Sequence, residues 1–145
     1  PVRKSAAGPA HVALALWAAG CAEHVLPFFE EVHPDDDRPR KAIDAVRAWA
    51  RGEDISMGAV RTAAFAAHAA ARAAILPAAR EAARAAGHAA ATAHVAGHAR
   101  HAAAYAVAAV IASSSAPLAA EKEREWQRTR LPDLLRPLIA ATGLS

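Results

Sequence analysis

The chain has 145 residues, enough for one ordinary domain and short for two. Hydrophobic residues make up 54% of it and aromatics only 5%, and alanine, roughly a third of all residues, excludes an all-β fold and predicts an all-α one. The excess of Lys+Arg 17 over Asp+Glu 14 gives +3, too small and too evenly interspersed with acids to mark a nucleic-acid binder.

Helical spacing predicts a first helix from Pro9 that buries Val12, Leu16, Trp17, Cys21 and Val25, with residues 1–8 a flexible lead-in and Pro27 a kink or stop. The segment His33 to Arg40 reads as a loop in which Asp37 caps a second helix reaching about Arg51. Ile43, Val46 and Trp49 form its buried stripe, and Gly52 stops it. Asp54 or Ser56 caps a third helix carrying Val60, Phe65 and His68 and running into Pro77. A short charged helix, Ala78 to Ala86, then leads to Gly87, and a long alanine helix follows from His88 to Ala112. Ser113 to Ser115 end that helix and cap a solvated one with Glu121, Lys122, Glu123, Arg124 and Glu125, after which Pro132 and Pro137 split the tail. Five or six helices with short connections predict one compact antiparallel bundle, a single domain over residues 1–145.

Two stretches imitate membrane segments. Residues 6–22 lack Asp, Glu, Lys and Arg, and Ala18-Ala19-Gly20-Cys21 resembles a lipoprotein cleavage box. The helical pattern nevertheless continues through Glu23, Val25, Leu26, Phe28 and Phe29, which favours a core helix over an export signal. The alanine-rich 102–120 stretch transfers weakly into lipid and is interrupted by three serines and Pro117. No membrane partner is expected. The lone Cys21 excludes an internal disulfide framework and suits a reducing compartment, here the cytoplasm.

Three constellations can carry chemistry. On a continuous helix His94, His98 and His101 share one stripe with Tyr105, while His88 points to another side. A closed metal site there needs ligands from elsewhere, His68 or the acidic loop, and no metal or other cofactor is expected. The second constellation is that acidic loop, Asp35, Asp36 and Asp37 followed by Arg38 and Arg40, where a buried carboxylate can act as a general base and an exposed one as a helix cap. The third is the run from Glu121 to Pro132, with Trp126 as an anchor and Glu125, Gln127, Arg128 and Arg130 around it, either a solvated face or a contact for an anionic partner.

Four segments together resemble the immunity-5-like group of small, alanine-rich actinobacterial proteins. They are Trp17 through Glu30, with Cys21, Val25, Leu26, Pro27 and Phe29; Asp35 through Ala42; Gly87 through Val95; and Glu123-Arg124-Glu125-Trp126-Gln127. The resemblance spans nearly the whole chain. It implies an all-helical domain of immunity type and carries no catalytic residues with it.

Two functions follow as expectations. One is a helical protein that neutralises a toxin or holds another protein or small-molecule partner, with Arg38, Arg40, His101, Tyr105, Glu125 and Trp126 as contacts. The other is a small non-redox enzyme or ligand-binding protein of bacterial secondary metabolism, in which His94, His98, Asp36 and Asp37 perform acid/base chemistry such as cyclisation, elimination or hydrolysis. The second requires His94 and the acidic loop to converge on one cavity.

Overall fold

A computed structural model describes residues 8–140; apart from Gly8, the expected flexible lead-in lies outside the described residues. The elements are α1 (Pro9–Val25), α2 (Pro27–Glu30), α3 (Arg38–Ala50), α4 (Met57–Ala73), α5 (Pro77–Ala91), α6 (His98–Ser113), α7 (Ala119–Arg130), a 3-10 turn (Asp133–Leu135) and α8 (Arg136–Ala140). The fold is all-α, and no strand occurs among the described residues. Consecutive helices from α3 to α7 pack against one another, and α1 lies across α3, α5 and α6.

The centre of the packing is α5. Ala79, Ala82, Ala83, Ala85, Ala86, Ala89 and Ala90 are all buried, so this helix meets neighbours on nearly every side through single methyl groups. Such faces let helix axes approach to about 8 Å, the low end of the usual range. Larger core side chains gather on α1, α2 and α3, where Val25, Leu26, Phe29, Ile43 and Val46 are fully enclosed. The apolar stretch Pro9–Glu30 is long enough to cross a membrane, yet more than half of it is buried against other helices.

Several expected boundaries shift for identifiable reasons. Leu14 is buried while Leu16 is 44% exposed, because Leu14, Trp17, Cys21 and Val25 keep one stripe along α1 that Leu16 misses. Phe65 is 64% exposed on α4. Pro27 ends α1 but opens α2 at once, with the Glu30 amide donating to the Leu26 carbonyl at 3.0 Å. Ser56 caps α4 by accepting the Ala59 amide at 3.0 Å. Gly52 stops α3 in the left-handed region, at φ 76. The serine run ends α6 without capping α7, whose first turn has no side-chain cap. Pro132 precedes the 3-10 turn, whereas Pro137 sits within α8.

The side chain of Asp37 does not cap α3. It pairs with Lys41 at 3.2 Å, and the backbone carbonyl of Asp37 accepts the Lys41 amide. Pro39 removes one of the amides such a cap would accept. Asp36 accepts the Arg38 amide instead, at 3.1 Å.

The largest correction concerns the long helix expected from His88. The segment α5 runs through Gly87 to Ala91, the chain turns over residues 92–97, and α6 starts afresh at His98. Gly87 is a contact glycine: a Cβ there would lie 2.6 Å from the His68 imidazole. The break is held from outside, by His11 Nε2 donating to the Thr92 carbonyl at 2.6 Å, while the Thr92 hydroxyl donates to the His88 carbonyl at 3.0 Å.

Two glycines inside helices should therefore respond oppositely to alanine. A methyl group added at Gly20 meets no atom within 4 Å, so Gly20→Ala should stabilise the chain by about 0.5–1 kcal/mol through helix propensity. Gly87→Ala gains the same propensity but collides with His68, an overpacking cost of about 1–3 kcal/mol. Thermal denaturation should show the midpoint rising in the first variant and falling in the second.

Candidate functional site

The alanine layer between α4, α5 and α6 ends in a cluster of polar rings. His68 comes from α4, Arg84 and His88 from α5, and His98, His101 and Tyr105 from α6. His88 is the hub. Its ring stacks on Tyr105 at 5.1 Å between centroids with 10° between planes, and lies 4.9 Å from His68, 5.2 Å from His98 and 5.3 Å from His101. The Nδ1 atoms of His88 and His98 are 3.0 Å apart. One of them must donate and the other accept, so when both rings are neutral they carry opposite tautomers. Arg84 sits 5.9 Å from the Tyr105 ring and is paired with Glu81 at 2.8 Å.

Close packing holds His68, His88 and His98 below the ordinary imidazole range. Burial, and after it the neighbouring His68, His98, His101 and Arg84, push His88 down to about 3. His68 is lowered by burial and then by Arg72, His98 and Arg84; His98 is lowered by burial and then by His101 and His94. No carboxylate among the described residues hydrogen-bonds any ring of the cluster, and no group of three or more His, Cys, Asp or Glu among them is arranged to hold a metal ion. What the face offers is a set of ring donors and acceptors, bordered by the Arg84 guanidinium.

Only part of this was visible as a pattern in the sequence. His98, His101 and Tyr105 share α6 as expected, and His68 joins them. His94 does not belong to the stripe: it lies exposed in the turn between α5 and α6. His88, expected on another side, is the centre, because the break at residues 92–97 removes the helical phase that related it to His98.

The acidic loop is at the far end of the bundle. Asp36 grips the Arg38 guanidinium through both oxygens at 2.9 and 2.7 Å, which holds its carboxyl below the usual range. Arg40 bridges Glu23 at 2.9 Å and Glu30 at 3.0 Å, and Arg47 adds two further bonds to Glu23. Those bonds, Arg47's first, lower the Glu23 pKa. This network ties the start of α3 to the end of α1, whereas the turn holding His94 is tied to His11 near the start of α1. From His11 to Glu23 is about 18 Å along the helix. His94 and Asp36 or Asp37 therefore do not converge. Glu125 pairs with Arg128 on the exposed side of α7, and Trp126 stacks on His24 at 3.7 Å.

The depressed His88 value gives the fold a signed pH response. Between its folded value and the ordinary 6.5 the unfolded chain binds more protons, so stability is lost as pH falls through that window. Glu23 and Asp36, both lowered, stay ionised from pH 7 to 5 and add little slope there. The melting midpoint should fall over this range, and His88→Gln should flatten the dependence, leaving the smaller share from His68 and His98.

The family described as Imm-5 like putative immunity protein matches residues 7–134. No curated protein matches the chain, and no solved structure does. The match covers most of the sequence and agrees with the all-α fold, so the chain belongs to the Imm-5 like immunity protein family.

Proposed function

We propose that the chain acts as one helical domain in the cytoplasm, neutralising a protein toxin by binding it through the face formed by His68, His88, His98, His101 and Tyr105. Family membership supports the immunity class and a protein partner in general. The observation that carries the choice of face is the stacking of Tyr105 on His88, a ring that burial keeps from charging. Such a surface loses little solvation energy when covered, and tyrosine and arginine are the residue types that concentrate binding energy at interface centres.

Arg38 and Arg40 lie at the other end of the bundle, engaged by Asp36, Glu23 and Glu30, and take no part in this face. Glu125 and Trp126 belong to the separate α1/α7 side. The acid/base alternative needs His94 beside the acidic loop, and their separation along α1 withdraws its support.

Co-expression with any toxin domain that a gene beside this chain's encodes provides the test. Growth should be restored by the native chain. Tyr105→Ala and His101→Ala should each weaken the purified complex by about tenfold, on the order of 1.4 kcal/mol, while retaining a cooperative melt. Unrelieved toxicity would remove the immunity role. Full affinity in both folded variants would remove this face from it.

A further inference from the structure

Away from the histidine cluster, α1 and the end of α7 enclose a groove of about 340 Å³. Its walls are Leu16, Trp17 and Trp126, and its floor is Gly20 and Cys21. The indole rings are fixed from behind. Trp17 Nε1 donates to the Gln127 carbonyl at 2.9 Å, and Trp126 is stacked on His24, which in turn bonds Glu123 at 2.8 Å. Gln127 donates to the Ala103 carbonyl at 3.0 Å, anchoring α7 to α6. Burial first, and the Glu123 carboxylate second, push the Cys21 thiol up, so the floor is uncharged.

The missing side chain at Gly20 is what leaves room. A Cβ there meets nothing within 4 Å. At the rim stands Arg130, its guanidinium 3.9 Å over the Trp126 ring. Among the described residues it has no carboxylate partner: it reaches only the Trp126 carbonyl at 3.3 Å and the Thr129 hydroxyl at 3.4 Å. Glu123, the nearby acid, is occupied by His24 and Gln127. Both faces of the Trp126 indole are taken, by His24 and by Arg130, so the groove presents apolar side chains and, among the described residues, one cation without a carboxylate partner, the combination that orients an amphipathic anion.

We propose that the α1/α7 groove is a binding site for a small monocarboxylate with a compact apolar body, the body lying over Gly20 between Leu16 and the edge of the Trp126 indole and the carboxylate meeting Arg130. The site is independent of the toxin-binding face.

Phenylacetate is a suitable probe, with phenylacetamide as its uncharged counterpart. In the ¹⁵N-labelled full chain, the indole N–H signals of Trp17 and Trp126 should shift saturably with phenylacetate while that of Trp49, on α3, stays in place. The amide should bind about tenfold more weakly. Arg130→Gln, an exposed substitution, should reduce phenylacetate to the level of the amide, and Gly20→Leu should abolish the shifts while retaining the melting transition. Equal affinity for acid and amide, no shift at either groove indole, movement of all three indoles alike, or unchanged binding in folded Gly20→Leu would each overturn the proposal.

Discussion

Methyl-to-methyl contact around α5 is the constraint from which the other features follow. Each buried alanine contributes little area, roughly one CH₂-sized increment of about 0.8 kcal/mol, but the smallness of the side chain fixes how closely α4, α5 and α6 can lie. At that spacing, longer side chains on adjacent edges cannot avoid one another. Gly87 is the extreme case, where even a methyl group would strike His68. The rings of His68, His88, His98, His101 and Tyr105 therefore assemble where the alanine layer runs out, and the same approach that assembles them desolvates His88 and keeps it from charging.

Charge is distributed in the complementary way. Around the junction of α1, α2 and α3, Glu23, Glu30 and Asp36 are neutralised by Arg40, Arg47 and Arg38 in multidentate contacts. That end also carries the large core side chains, so packing and ion pairs together fix the angle between α1 and α3. At the histidine end Glu81 pairs with Arg84, the rings of His88 and His98 bond each other, and among the described residues no carboxylate bonds a ring of the cluster. The bundle thus carries its multidentate carboxylate–guanidinium network at one end and its stacked imidazoles at the other.

The helices were largely legible because alanine propensity and turn chemistry agree along most of the chain. Pro9, Gly52, Ser56 and Pro77 mark boundaries where the structure has them, and Ile43 and Val46 mark a face that is buried. Periodicity failed where composition is most uniform. From Ala78 to Ala112 alanine supplies no contrast between faces, so the choice between ending at Gly87 and breaking at 92–97 had no hydrophobic signal behind it. The deciding contacts, His11 to Thr92 and His68 to Gly87, come from residues 81 and 19 positions away. The candidate site inherited that error: its α6 members were recognisable by spacing, whereas its hub on α5 was visible only once the two helices folded back on each other.

The central consequence of close alanine packing is an imidazole cluster whose core ring, His88, is kept from charging. Its most direct measurement is the pH titration of the individual histidine ring signals by NMR in the folded chain. The packing account predicts no inflection for His88 between pH 7 and 5, with the Nδ1 link to His98 persisting across that range. A His88 inflection near the ordinary 6.5 would contradict it, because a ring that charges there is neither desolvated nor held by its neighbours.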